Sequence, residues 1–561
     1  MSSQPNTSTL DPRGTHKTRS LQLAKRSLPA ALESGKVLFF DNTKLRFCNY
    51  NEIYTRLTHE LNKHGIHSIV RVCQSVRGTM TEDMRKLAAS LALENYTAAI
   101  VALADMGTSV MTTILAIELE KVGIPTVLIA SPPGNQLAEH VAHYRAGQLC
   151  ICHLDIYQAS THKDIAQQVL RQKDFILQAL SAPPDKLHRL AKLHPQMDTA
   201  PLQCDKAILS DDIDVLMHAY ETLSIGDGLP VVPPSQGRFK QMLRYCCEPL
   251  DTIVIPEAGP SGKNITLHDI VINTILAGCK PAYLPIIIAA FRAMAHSAFN
   301  FQQSMTSSYN GGNLVLVSGP IAQELGIHSG QGCLGPGFRA NATIGRAINL
   351  TILNVCRAYP GKADLGCLGS PAEFTYCFAE SIDNSPWSTL NEEHFDRDTT
   401  TVYLLKAEPP TDVVDFLSQT ADSLLETLID SATHLGRMNA YIPGRILIVL
   451  TPDHARILQK DGWHKHDLRV HFHHHIHNPS TAVNGKGLVP VRPTSFAQRD
   501  PIPATRHPND IDIVVAGGRG GHSAIIASWG LYSDAVLTPL TLPNGQVARS
   551  IKEFDLTIEG V

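Results

Sequence analysis

The residues best equipped for chemistry fall in one stretch, residues 332–350, GCLGPGFRANATIGRAINL. Gly335 and Gly337 let the backbone approach a ligand closely. The amphipathic helix expected beyond them presents unpaired N–H groups and a partial positive charge at its start, a combination that receives anions. Arg339 and Arg346 are seven residues apart and share a helix face, and Asn341 adjoins them. Arginine's planar fork suits a carboxylate or phosphate, and structural salt bridges are its other common use. Cys333, beside that helix start and two arginines, is the thiol whose thiolate is most favoured. Its alternative is to pack as a small apolar residue. No GxxxxGK[ST] and no strand-linked GxGxxG is present, so no nucleotide fold is implied.

Other reactive types are scattered. His522, in GGRGGHS, follows a flexible loop after a buried strand and is a candidate for proton transfer. Asp227, in GDGLP, is either a general base or a turn cap. His328 and Glu380 lie near glycine-rich or strand-end positions and are weaker candidates of the same kind. Thr108 and Ser109 sit where a strand is expected to end, as hydrogen-bond donors to a ligand. No G-x-S-x-G elbow surrounds Ser109 to make it a nucleophile. The tract HKHDLRVHFHHHIH, residues 464–477, could bind zinc, nickel or copper loosely. It has no companion cysteines or acid cluster, so it reads as a solvated segment and no metal ligand is assigned. The resulting catalytic set is Cys333, His522 and Asp227. The binding set is Gly335, Gly337, Arg339, Asn341, Arg346, Thr108 and Ser109. No cofactor is indicated.

The elements that must position these residues are α/β throughout. KVLFFDN, TAAIVALAD and IPTVLIAS read as buried strands, alternating with helices in YNEIYTRLTHELNKHG and TSVMTTILAIELEKVG. Such alternation implies a parallel sheet covered on both faces, with ligands at the carboxyl ends of its strands. The chain divides into a tail (1–35), a parallel-sheet domain (36–180), a proline-bearing linker (181–210), a glycine-loop α/β domain (211–410) and a C-terminal α/β segment packed on it (411–561). In the second domain, helices are expected near 266–279 and 281–296, and strands at NLVLVSGP, 374–379 and 400–405. In the third, VVDFLSQTADSLLETLIDSATHL reads as one helix, followed by strand RILIVLTP, helix DHARILQKDGW and strand DIDIVVAGG.

Composition sets outer limits. The 561 residues exceed one ordinary core. Hydrophobic content of 43% with 18% charged residues describes a soluble globular chain, and a net charge of −4 argues against a nucleic-acid binder. The most apolar run, residues 283–299, is broken by Pro285 and Arg292 and is too short to span a bilayer. Twelve cysteines without CxxC pairs fit neither a disulfide framework nor a zinc pattern. An intracellular, cytoplasmic location follows. The Ser/Thr-rich, basic N-terminus leaves mitochondrial import open beside a disordered tail.

At this point a resemblance emerges. DNTK (residues 41–44), Asp105 and ELEKVGIPTV (residues 118–127) make the N-terminal stretch resemble the UGSC-like domain. GDGLPVVPP, INTILAGCKPAYLP, GCLGPGFRANATIGRA, FAE, TPDHARIL and VAGGRGGHSAIIASWG resemble the region that commonly follows it, so the likeness runs over nearly the whole chain. The family takes its name from a selenocysteine-Gly-Ser-Cys signature, and its surroundings are similar to component B of glycine/betaine reductases. Here Met106, Gly107, Thr108 and Ser109 occupy that signature. Neither Met106 nor Ser109 can supply a thiolate or selenolate, so the resemblance implies the fold and not that chemistry. The expectation is an enzyme acting on a small anionic metabolite, cleaving or forming a C–S or C–N bond in specialised metabolism. Lyase, transferase and oxidoreductase stay open. The alternative is a non-catalytic binding or regulatory relic. The sequence allows a homo-oligomer.

Overall fold

The computed structural model describes residues 8–14, 20–27, 29–43, 50–156, 160–193, 207–208, 213–483, 486–487 and 499–557. Lys44 and half of the expected linker, residues 194–206 and 209–210, lie outside the described residues.

The N-terminal unit is built on five parallel strands. They are β1 (Val37–Asp41), β2 (Ile69–Cys73), β3 (Ala98–Ala104), β4 (Thr126–Ala130) and β5 (Ile151–His153), in the order β2-β1-β3-β4-β5. β1, β3 and β4 are buried along their whole length, because alternate side chains serve two opposite cores. Leu38, Phe40, Val101 and Leu128 meet the helices α2 (Thr81–Ala92), α3 (Ser109–Lys121) and α4 (Gly134–Arg145). Val37, Phe39, Ile100 and Ile129 meet α1 (Tyr50–Lys63) and α5 (His162–Ser181). Parallel pairing forces crossover helices onto both faces, which explains the continuous apolar runs.

Part of the segment read as a tail is packed. Leu21 and Ala24 are buried. The Arg26 fork grips the Glu120 carboxylate at 2.6 and 2.8 Å, and Ala24 N–H donates to the same group at 2.7 Å. Residues 1–7 and 15–19 lie outside the described residues.

The remainder of the chain forms two four-stranded mixed sheets packed face to face. A hairpin, β6 (Ile253–Ala258) and β7 (Lys263–Thr266), leads into α6 (Leu267–Leu276). Thr266 caps that helix and Asp269 returns the bond to the Thr266 N–H at 3.0 Å, the reciprocal pairing that a Thr-x-x-Asp start permits. Then come α7 (Leu284–Ala295), β8 (Gly312–Ser318), α8 (Arg339–Cys356), β9 (Cys377–Ala379), β10 (Thr401–Ala407) and β11 (Thr411–Val414). They are followed by α9 (Ala421–Thr433), β12 (Ile446–Leu450), α10 (Pro452–Lys460), α11 (Lys465–His475), β13 (Ile511–Val515), β14 (His522–Ala527) and β15 (Val536–Pro539).

The second sheet runs β9-β8-β10-β15 and the third β11-β14-β12-β13. Leu314, Leu316, Phe378, Tyr403 and Leu405 of the second interdigitate with Leu447, Val449, Val514 and Ile526 of the third. The outer face of the second sheet carries α6, α7 and α8, and that of the third carries α9, α10 and α11. The result is a helix–sheet–sheet–helix sandwich, with Ala363 and Leu365 reaching out of it into the core of the N-terminal unit.

Two local expectations are corrected. The run from Val413 is not one helix. Residues 411–414 form β11, and Asp415 then turns the chain by accepting Leu417 N–H and Ser418 N–H at 3.1 and 2.9 Å. The histidine tract is helical over Lys465–His475, anchored inward by Leu468 and Phe472. No single helix among the described residues is long and apolar enough to cross a membrane.

Candidate functional site

The glycine loop lies where expected, and both of its arginines bond to the protein itself. α8 begins at Arg339, after exposed Gly335 and Gly337, and Gly337 has φ +114°, a conformation open to glycine. Arg339 turns its Nε and Nη2 onto the Gly278 carbonyl at 2.9 and 2.8 Å, capping the turn that ends α6. Arg346 forms a two-pronged pair with Asp227, Nε to Oδ2 at 2.7 Å and Nη2 to Oδ1 at 2.8 Å. It also donates to the Leu229 and Pro230 carbonyls. Asn341 accepts His328 N–H at 2.8 Å and donates to the carbonyls of His328 and Cys333, both at 2.9 Å. The groups expected to cradle an anion thus make backbone ties and one salt bridge, with Arg339, Gly335 and Gly337 exposed. Asp227 is a guanidinium partner.

Cys333 is also corrected. Its side chain is buried among Leu314, Phe378 and Val514, and burial pushes the thiol pKa up despite nearby backbone N–H groups. A thiol held in its neutral form is a poor nucleophile. With iodoacetamide on the native protein, exposed Cys367 is expected to be alkylated first and Cys333 to be protected until unfolding. Peptide mapping over time checks this.

The other named residues are dispersed. His522 is exposed at the start of β14, its Nδ1 2.9 Å from the Asp412 carboxylate, with the edge of Phe416 beside it. His328 stacks on Phe338 at 3.6 Å and its Nε2 meets the Gln331 carbonyl at 3.0 Å. Glu380 is buried, receiving Ser318 hydroxyl and Leu390 N–H at 2.6 and 2.7 Å, and burial raises its pKa. In α11, His471 and His475 stack at 4.1 Å. Among the described residues no group of three or more His, Cys, Asp or Glu is arranged to hold a metal.

Thr108 and Ser109 begin α3 at the end of β3. Both are buried, and neither hydroxyl finds a hydrogen-bond partner among the described residues. The second unit closes over them. The Gly107 α-carbon side has room for no Cβ without crowding Ser307 Cα (3.1 Å) and Thr306 O (3.2 Å), and Thr306 Oγ1 donates to Gly107 O.

The structure instead opens a cavity of about 670 Å³ that the sequence did not announce. Its floor follows from the register of two strands. Val402 and Leu404 on β10, with Val315 and Val317 on β8, point to the helices α7 and α8. One step further along the same face lie Lys406 and Asn313, paired across the strands. The apolar stripe thus ends in an ammonium and an amide at the sheet margin. Asn313 donates to Asn349 on α8 at 2.9 Å, fixing strand to helix. The segment 358–374 forms the rim. It contributes Asp364, whose Oδ1 receives Gly366 N–H at 2.9 Å, and Glu373, which receives Ser370 N–H at 3.3 Å. Gly369 is needed beside Glu373, because a Cβ there would come within 2.9 Å of the carboxylate oxygen and φ is +65°.

Lys406 is 6% exposed. The groups acting on its ammonium are the carboxyls of Asp364 and Glu373, which act through space rather than by hydrogen bond. Burial lowers its pKa and these two acids partly offset the shift. Burial likewise raises the pKa of Asp364 and of Glu373. The Ser370 hydroxyl is buried at the rim, where Ser370 precedes the turn Pro371–Glu373, and it makes no hydrogen bond of ordinary length among the described residues. Of the residues singled out from sequence, Asp227 alone lines this cavity, with its carboxylate turned to Arg346. Neither Met106 nor Cys333 lines it. The one sequence signal was a lysine at an inward register position of TTVYLLKA.

The sign of the Asp364 effect is testable. Its native pKa lies above the unfolded value, so its contribution to stability is full below about pH 4 and declines as pH rises through the native pKa. Asp364→Asn should therefore match wild type in stability near pH 4 and exceed it increasingly toward neutrality, as read by urea midpoints across pH.

Comparison with known proteins adds one assignment. Residues 8–148 match the UGSC family model. No curated protein and no solved structure matches the chain. The match takes in four of the five parallel strands, β1 to β4, and ends before β5 and the two-sheet sandwich that carries the cavity. Residues 8–148 are a UGSC-like domain.

Proposed function

We propose that the chain is an enzyme acting on a small anionic metabolite, and that the cavity around Lys406 is where it acts. The observation that carries this reading is the Lys406 ammonium, buried at the cavity floor with no direct ion-pair or hydrogen-bond partner among the described residues. Buried lysines are otherwise paired, and a cavity of this size suits a metabolite. Asp364, Glu373 and the Ser370 hydroxyl stand ready to exchange protons with, or hydrogen-bond, what the lysine holds. An amine with lowered pKa favours making or breaking a C–N bond over a C–S bond.

A second reading has its own support. The signature positions hold Met106 and Ser109 and are sealed beneath Thr306 and Ser307, which fits a chain that keeps a metabolite pocket without turnover.

Capture of metabolites from a cell extract, read by native mass spectrometry, tests the site. Wild type and Arg339→Ala should retain the same ligand and Lys406→Met should lose it. Loss in the Arg339 variant with retention in the Lys406 variant would return the site to the glycine loop. Conversion of the captured ligand by wild type separates an enzyme from a binding relic.

A further inference from the structure

We infer that Lys406 condenses with the carbonyl of a small 2-oxo acid, holding it in the cavity as an imine. The inference rests on the proposed site and adds its substrate class. Lys406 ends a strand on a rigid four-stranded sheet, so its amine is held in place rather than swinging on a loop. Lys406 lines the cavity and its side chain makes no ion pair or hydrogen bond among the described residues, unlike Lys465, which meets Glu393 at 2.7 Å, and Lys121, which meets Glu118 at 2.6 Å. Two carboxyls share the cavity without gripping the amine, and an unpartnered hydroxyl stands at the rim. This is what imine formation requires: a free lone pair, a group that gives a proton to oxygen and one that takes a proton from nitrogen.

The step balances without any redox partner. The neutral amine attacks the keto carbon, forming a C–N bond as the C=O π pair moves to oxygen. That oxygen takes a proton from the acid form of Asp364 or Glu373. The nitrogen gives one proton to the resulting carboxylate. The hydroxyl then leaves as water with a second proton from the other carboxyl, and the nitrogen lone pair closes C=N. The products are a protonated imine, one carboxylate beside it and one water. The step starts from the neutral amine and the acid forms, and burial shifts all three groups in that direction. The iminium charge can then pair with the substrate's own carboxylate.

The test uses the full chain with pyruvate or glyoxylate and sodium borohydride, read by intact mass and peptide mapping, with propanal as a parallel probe. The expected result is a single saturable reduced adduct on Lys406 with the oxo acids, absent from Lys406→Arg and Lys406→Met. Adducts only on exposed lysines, equal in wild type and both variants, overturn the inference. So does trapping at Lys406 by propanal alone, which removes the acid from the substrate class. Protection of wild type and Lys406→Arg against thermal unfolding by pyruvate, without an adduct, would overturn the imine and keep the proposed anion site. Absence of both protection and adduct, with metabolite capture still lost in Lys406→Met, would again reject the imine alone. Retained capture in that variant would reject the site itself.

Discussion

Arg346→Met is expected to destabilise the second unit by about 3 kcal/mol, the lower end of what breaking a buried ion pair costs. The guanidinium keeps 15% of its side chain at solvent and its partner Asp227 keeps 7%. Removing it strips two short bonds from a carboxylate that has little water to replace them, and it also frees the Leu229 and Pro230 carbonyls. Asp227→Asn should cost less, because an amide oxygen still accepts from the fork. The double variant should cost less than the sum of the two singles, since the second change removes the group left unpaired by the first. Urea unfolding of all four proteins measures this. The same series discriminates two roles for Asp227. A general base, replaced by asparagine, would lose turnover with stability intact, whereas a guanidinium partner loses stability first.

Lys406→Met is expected to leave stability unchanged or to raise it, while abolishing ligand capture. An ammonium without a direct partner is costly to keep dry, and an apolar chain of similar length removes that cost. Burial shifts the pKa values of Asp364 and Glu373 upward, so losing the cation between them is eased by protonation of the acids. A gain in stability with a loss of binding is the signature of a residue kept for function. A loss of several kcal/mol would mean instead that the lysine is structural. The measurement is a thermal and urea comparison alongside capture on the same preparations.

What the sequence disclosed, and what it hid, follows from how many contacts each feature needs. Strands such as Val37–Asp41 and Ile446–Leu450 and the Thr266-capped helix announce themselves through local composition. The segment from Val413 misleads because its apolar spacing also fits a helix, and only the Asp415 turn and the pairing of β11 with β14 settle it. Cys333, Arg339 and Arg346 were legible as a glycine loop running into a helix. Their roles depended on partners at Val514, Gly278 and Asp227, far away in the chain. Lys406 was hidden for a different reason. In a strand buried on both faces, side-chain direction cannot be read from hydropathy, and the carboxyls that share its cavity come from an upstream rim, at Asp364 and Glu373.

A crystal structure of the chain with its captured ligand is the decisive measurement for the cavity floor at Lys406. Ligand density is expected inside the cavity, in contact with Lys406 Nζ and bordered by Asp364, Glu373 and Ser370. Density resting instead on Gly335, Gly337 and Arg339, with the Lys406 cavity empty, would contradict that expectation.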